Sequence, residues 1–142
     1  MDAMPPVANL PIFVYGTLQR GEERAHHWPR APLSVEEAEV QGRLYDLGPY
    51  PALLEGGDRI AGELWHLAAS DIEITCRVLD EVEGYAQGEP DWYCRDVVLC
   101  KTGAGENCQA YTYRYAREAT ITESMRIHPG LDGLCRWQKR FS

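Results

Sequence analysis

The stretch from Ser70 to Tyr85, SDIEITCRVLDEVEGY, decides how the rest of the chain is read. Ile72, Cys76, Leu79 and Val82 recur at helical spacing. Ser70, with Glu73 three residues later, predicts a capping box. Gly84 falls where a helix needs a left-handed residue just past its end. This is the one strong helix signal in the sequence, and the segments on either side of it read as strands.

Upstream, Leu10 to Tyr15 is short, β-branched and aromatic, and Gly16 bounds it, which predicts a buried strand. Gln19 to Arg30 is polar and basic, with room for one helical turn. Val35 to Leu47 alternates, with Val40, Gly42, Leu44 and Asp46 on one side and Gln41, Arg43, Tyr45 and Leu47 on the other. Gly48-Pro49-Tyr50-Pro51 predicts a loop, because two prolines do not fit a central strand. Ala52 to Leu54 reads as a brief extended piece, Gly56-Gly57-Asp58 as a turn, and Ile60 to Leu67 as a further strand.

Downstream, Tyr93 to Lys101 alternates, with Tyr93, Arg95, Val97 and Leu99 on one face. Cys108 to Tyr115 also alternates and places Tyr111, Tyr113 and Tyr115 together, most simply as a sheet face packing on the core. The link from Thr102 to Asn107 holds two glycines and predicts a hairpin. Beyond Ala116 the pattern weakens, and Ile121 to Ile127 reads as a helix before Pro129. Several strands, one central helix and no βαβ alternation predict an α+β fold with a largely antiparallel sheet able to curl into a small barrel.

A chain of 142 residues fits one domain with a sizeable core. We place it at residues 11–142, after an extended, flexible leader at residues 1–10 marked by Pro5 and Pro6. The net charge of −8 disfavours phosphate backbones and anionic membranes, so neither nucleic acid nor a membrane is an expected partner. No apolar run approaches the ~20 residues that span a bilayer, and the start lacks the features of a signal peptide. Cys76, Cys94, Cys100, Cys108 and Cys135 form no C-x-x-C, and we read them as reduced thiols of a cytoplasmic protein. A link from Cys100 to Cys94 or Cys108 remains a minor alternative. His26, His27, His66 and His128 lack ligand spacing, so neither a metal nor another cofactor is expected. Oligomeric state is left open.

Two constellations carry chemistry. Glu83 falls in the last turn of the predicted helix, where the negative end of the macrodipole raises a carboxylate pKa. Asp80, three residues back, adds like charge on the same side, and cover by the aromatic strands adds desolvation. A carboxylate tuned toward neutrality suits general-base work. A glutamate before a capping glycine is also a common solvated surface residue, and these residues alone favour that plainer reading. The second constellation is Tyr15-Gly16-Thr17-Leu18. A strand that stops at a glycine can turn its next N–H groups inward as an anion nest. Gly16 would let a ligand approach the backbone, and Thr17 adds a hydroxyl. Glu22 stands where a P-loop needs Lys, so a nucleotide loop is excluded. Taken alone, this motif is more simply a strand-to-loop turn. Glu22-Glu23-Arg24 reads as a solvated face.

Four pieces occur in order: Val14-Tyr15-Gly16-Thr17-Leu18, Gly48-Pro49-Tyr50-Pro51-Ala52, Gly62-Glu63-Leu64-Trp65 and Leu79-Asp80-Glu81-Val82-Glu83-Gly84-Tyr85. With Tyr93-Cys94-Arg95 and Ala110-Tyr111-Thr112-Tyr113, this set resembles the γ-glutamylcyclotransferase-like superfamily, in particular its γ-glutamylaminecyclotransferase and AIG2-like branch. The likeness runs from about Pro11 to Tyr115. It implies a small mixed barrel with flanking helices and a cavity where the Tyr15–Leu18 loop faces the family glutamate. That glutamate corresponds to Glu83, the one before the glycine, rather than Glu81. It implies a cofactor-independent, intramolecular reaction on a small γ-glutamyl substrate, of acyltransferase or cyclising-lyase type, which leaves 5-oxoproline. Tyr50 and Tyr113 join Tyr15, Gly16, Thr17 and Leu18 as expected substrate-binding residues. The alternative is an idle member of the superfamily that binds a small carboxylate or a protein partner, and exposed aromatics in the tail would suit it.

Overall fold

Two long strands build the frame, and their alternation is what lets one sheet serve two cores. The computed structural model describes residues 8–138. Most of the expected leader therefore lies outside the described residues. The strands are β1 (Ile12–Val14), β2 (Ser34–Asp46), β3 (Pro51–His66), β4 (Tyr93–Thr102), β5 (Asn107–Tyr115), β6 (Arg126–Ile127) and β7 (Leu134–Cys135), and the helix α1 spans Ile72–Glu83. The order β2-β4-β5-β1-β3 closes because β2 also pairs with β3, giving a five-stranded barrel. Only β1 and β5 run parallel within it, and the other barrel pairs are antiparallel. β6 and β7 extend the sheet from β2 and β3. The fold is thus the expected mixed, largely antiparallel barrel, flanked by one α-helix, short 3-10 turns and strands. Among the described residues no helix is long and apolar enough to cross a membrane.

A five-stranded barrel is narrow enough for side chains to fill it. Phe13, Leu44, Leu53, Ile60, Leu64, Cys100 and Ala110 do so, each at most 1% exposed. The alternate residues, among them Ile12, Val14, Tyr45, Trp65, Tyr93, Tyr111, Tyr113 and Tyr115, face a second core. Ile72, Cys76 and Leu79 of α1 close that core from outside. The tyrosine row of β5 therefore packs on the core as expected.

Several local expectations need correction. Ala52–Leu54, the Gly56–Asp58 turn and the strand from Ile60 are one strand, β3. Its register against β2 jumps from Gly42↔Asp58 to Arg43↔Leu54. Residues 55–57 bulge out there, which keeps Leu53, Ile60 and Leu64 all in the barrel. Pro51 opens this strand, a position where a missing N–H is tolerated. The capping box does not form. Ser70 lies in a 3-10 turn at Ala69–Asp71, Asp71 occupies the N-cap without a side-chain bond, and Thr75 Oγ1 donates back to the Asp71 carbonyl at 2.7 Å. The C-terminus behaves as expected. Gly84 has φ +68°, its N–H reaches the Glu81 carbonyl, and the Tyr85 N–H reaches that of Asp80, the paired bonds of a Schellman motif. The Tyr93 face of β4 is not buried throughout: Val97 and Leu99 are 44% and 65% exposed. Residues 121–127 hold a 3-10 turn and β6 instead of a helix. Trp137 is buried against the barrel core, so it is no exposed tail aromatic.

Candidate active site

At the mouth of the second core, residues from four segments meet. Phe13, Val14 and the Tyr15-Gly16-Thr17-Leu18 loop come from the end of β1, and Tyr50 and Pro51 from the start of β3. Glu83 comes from the end of α1, and Tyr93 and Tyr113 from β4 and β5. Together they line a cavity of about 30 Å³. Every residue singled out in the sequence as catalytic or substrate-binding lies on this lining.

The carbonyls of the loop are bound from behind. Gln19 N–H donates to the Gly16 carbonyl at 3.0 Å, Arg24 N–H to that of Thr17 at 2.8 Å, and Trp28 Nε1 to that of Leu18 at 2.9 Å. The Trp28 ring stacks on Trp65 at 4.0 Å and holds the segment in place. Among the described residues, the N–H groups of Gly16, Thr17 and Leu18 meet no acceptor. The loop therefore carries three free backbone donors beside the cavity, the composition of an anion nest. A packing reason also requires glycine at position 16. Its φ is not positive, but a Cβ there would lie 2.6 Å from Pro51 Cγ. The glycine makes room for the Pro51 ring that closes the cavity wall.

Glu83 is only 9% exposed, and burial pushes its carboxyl up to about 7, against a smaller downward pull from Arg24. The expected repulsion from Asp80 is not the cause. Asp80 faces away into its own network, accepting from Arg95 Nε at 2.9 Å, Arg95 Nη2 at 3.3 Å and the Tyr113 hydroxyl at 2.6 Å. That network pins the last turns of α1 to β4 and β5. Tyr113 thus lines the cavity while its hydroxyl is bonded to Asp80. Tyr15 donates to the Tyr113 carbonyl and Tyr93 to the Pro51 carbonyl. Burial raises the phenols of Tyr15, Tyr93 and Tyr113, so they stay neutral and act as fixed donors. Glu83 is left as the cavity group poised to exchange a proton near neutral pH.

One residue read as solvated surface belongs to this neighbourhood. Arg24 Nη1 lies 3.9 Å from Glu83 Oε2, and its guanidinium sits 5.5 Å over the Tyr50 ring. Its place in the Glu22-Glu23-Arg24 run concealed it, and the only sequence cue was its closeness to the loop. Glu63, from the Gly62–Trp65 motif, is a staple instead. It accepts from Arg20 N–H and Nε, both at 2.9 Å, and from Trp65 Nε1 at 3.2 Å. Among the described residues no group of three or more His, Cys, Asp or Glu side chains is placed to hold a metal ion.

Residues 12–132 match the family described as gamma-glutamyl cyclotransferase, AIG2-like. The chain is 32% identical over 109 residues to the gamma-L-glutamyl-butirosin B gamma-glutamyl cyclotransferase of Niallia circulans, covering 75% of this chain and 67% of that protein. Among solved structures, an AIG2-like protein from Mus musculus superposes with TM-score 0.60 at 21% identity, covering 94% of this chain and 97% of the other. YkqA from Bacillus subtilis gives TM-score 0.58 at 27% identity over 77% of this chain, and the chain spans only 36% of its length. The mouse likeness is one of fold.

Proposed function

The chain belongs to the gamma-glutamyl cyclotransferase, AIG2-like, family, and from that premise we propose that it releases 5-oxoproline from a γ-glutamyl amine or γ-glutamyl amino acid, with Glu83 as general acid and base. The observation that carries this reading is a single carboxylate, buried and raised to about 7, across one cavity from a loop with three free N–H donors. The loop amides hold the substrate α-carboxylate. Glu83 takes a proton from the α-ammonium, and the freed amine attacks the substrate's own γ-carbonyl carbon. The C–N bond to the leaving group breaks as Glu83 returns the proton to the departing nitrogen, and the ring nitrogen gives its second proton to the released amine, which departs as an ammonium. The nucleophile belongs to the substrate, so the protein contributes by folding the γ-glutamyl chain into a near-attack shape and by moving one proton.

A carboxylate with pKa near working pH suits both halves of that transfer, since it is ionised often enough to accept and acidic enough to donate. A desolvated carboxylate at this position suits proton transfer better than idle binding, and Trp137 is buried instead of being presented as a docking aromatic. The cysteines, all free, fit a cytoplasmic setting. The test is direct. Incubate the protein with γ-glutamyl amines and γ-glutamyl dipeptides and measure 5-oxoproline. Release from at least one class is expected, and no release from any of them rejects the reading.

A further inference from the structure

Arg24 is the cation nearest the proposed base, and its guanidinium is underused. Among the described residues its side chain makes no hydrogen bond within normal range. Its approach to Glu83, at 3.9 Å, is too long for one. It stands partly exposed over Tyr50, beside two residues that line the cavity. Its backbone is fixed by the N–H bond to the Thr17 carbonyl, so the side chain starts from a rigid point. Five donors of a planar fork, held at a site mouth without a bidentate acceptor, match a carboxylate.

The proposed chemistry fixes where such a carboxylate would lie. To receive a proton from Glu83, the leaving nitrogen must come within about 3 Å of its carboxylate. In an amino-acid leaving group the carboxylate carbon is two bonds, about 2.5 Å, from that nitrogen. Arg24 Nη1, at 3.9 Å from Glu83 Oε2, lies within the span this sets. The substrate's other carboxylate, on the glutamyl α-carbon, is already matched by the loop amides.

We infer that Arg24 selects the leaving group, and that the substrate class is γ-glutamyl amino acids or peptides whose leaving amine carries a carboxylate next to the scissile nitrogen. This deepens the cyclisation proposed above and rests on it. When such a substrate enters, its carboxylate gives Arg24 the bidentate partner that Glu83 does not provide.

The test uses two substrates that differ only in charge, γ-glutamylalanine and γ-glutamylalaninamide. Both are assayed for 5-oxoproline release by wild type, Arg24→Gln and Arg24→Lys, with thermal melts run in parallel to confirm folding. Wild type is expected to favour γ-glutamylalanine by about tenfold or more in kcat/KM, the usual weight of a charge-assisted hydrogen bond. Arg24→Gln should bring the ratio close to one, and Arg24→Lys should keep part of it. A wild-type ratio near one, with both substrates turned over, overturns the inference and leaves the cyclisation standing. So does an Arg24→Gln variant that slows both substrates alike and keeps the ratio, because Arg24 then serves the shared glutamyl half. No 5-oxoproline from either substrate or from any other γ-glutamyl compound overturns the cyclisation itself, and the inference with it.

Discussion

The two cores of this protein share the same strands and differ in what they can do. The barrel interior is built largely from aliphatic side chains and Phe13, and its buried polar atoms are few and paired, as where Thr112 Oγ1 donates to the Phe13 carbonyl at 2.9 Å. The outer core is walled by Tyr45, Tyr93, Tyr111, Tyr113 and Tyr115. Tyrosine brings as much apolar area as phenylalanine, with a polar tip that must find a partner. Those tips fasten β5, β4, β3 and α1 to one another around a place where a carboxylate can be buried. The interior holds the barrel together, and the outer core spends part of its burial on polar geometry. One β-strand alternation supplies both, with Phe13 packed in the barrel interior while Ile12 and Val14 pack in the outer core.

If the division is real, damage to the two cores will read out differently. Phe13→Ala empties the barrel of a fully buried ring. We expect a loss of about 3–5 kcal/mol in denaturant unfolding. A loss under ~1 kcal/mol would mean that the interior does not carry the fold. In the outer core the corresponding change is Glu83→Gln. It should leave the chain folded and cut 5-oxoproline release by ~10² or more. Glu81→Gln is the control, because helical spacing turns it about 200° from Glu83. Turnover within a few-fold of wild type in Glu83→Gln would remove the proposed base.

The outer core should also leave a mark on stability that the interior cannot. The Glu83 carboxyl stands at about 7 in the folded chain against the ordinary 4.5. Between those values the native state holds a proton that the unfolded chain has lost. Stability therefore falls as pH rises through the window from about 4.5 to 7, and the loss is complete above it. The full difference corresponds to roughly 3 kcal/mol. Unfolding curves at pH 5 and pH 8 should show this drop in wild type and a flatter response in Glu83→Gln. Equal slopes in the two proteins would place the carboxylate in solvent.

Much of this was legible because strand alternation, Gly84 and the four ordered motifs are local signals. The helix end, the hairpin from β4 to β5, the tyrosine face and every candidate lining residue followed from spacing or from the family likeness. What escaped was set at a distance. The Gly56-Gly57 pair looks like a turn until β2 lies opposite and carries the strand through it as a bulge. Ser70 looks like a cap because nothing local reveals the 3-10 turn that precedes Ile72. Arg24 was hidden because two glutamates beside it imitate a solvated run. Asp80 was assigned the right neighbourhood and the wrong effect, since Arg95 is fifteen residues away in sequence and Tyr113 thirty-three.

Tyr113→Phe gives the finest test of how the outer core is organised. From sequence its hydroxyl was a candidate ligand for substrate. In the structure that hydroxyl donates to Asp80 Oδ1 at 2.6 Å, while Tyr113 is among the residues that line the cavity. Removing the oxygen leaves Asp80 still bound by Arg95 through two nitrogens, so no charge is stranded. The cost should be that of one hydrogen bond, about 1 kcal/mol in unfolding. KM for a γ-glutamyl substrate should stay within about twofold, because the hydroxyl removed is already engaged by Asp80. A several-fold rise in KM with unchanged stability would reverse this assignment. It would mean that the hydroxyl swings from Asp80 to the substrate, and that the polar tips of this core bind ligand as well as hold the wall.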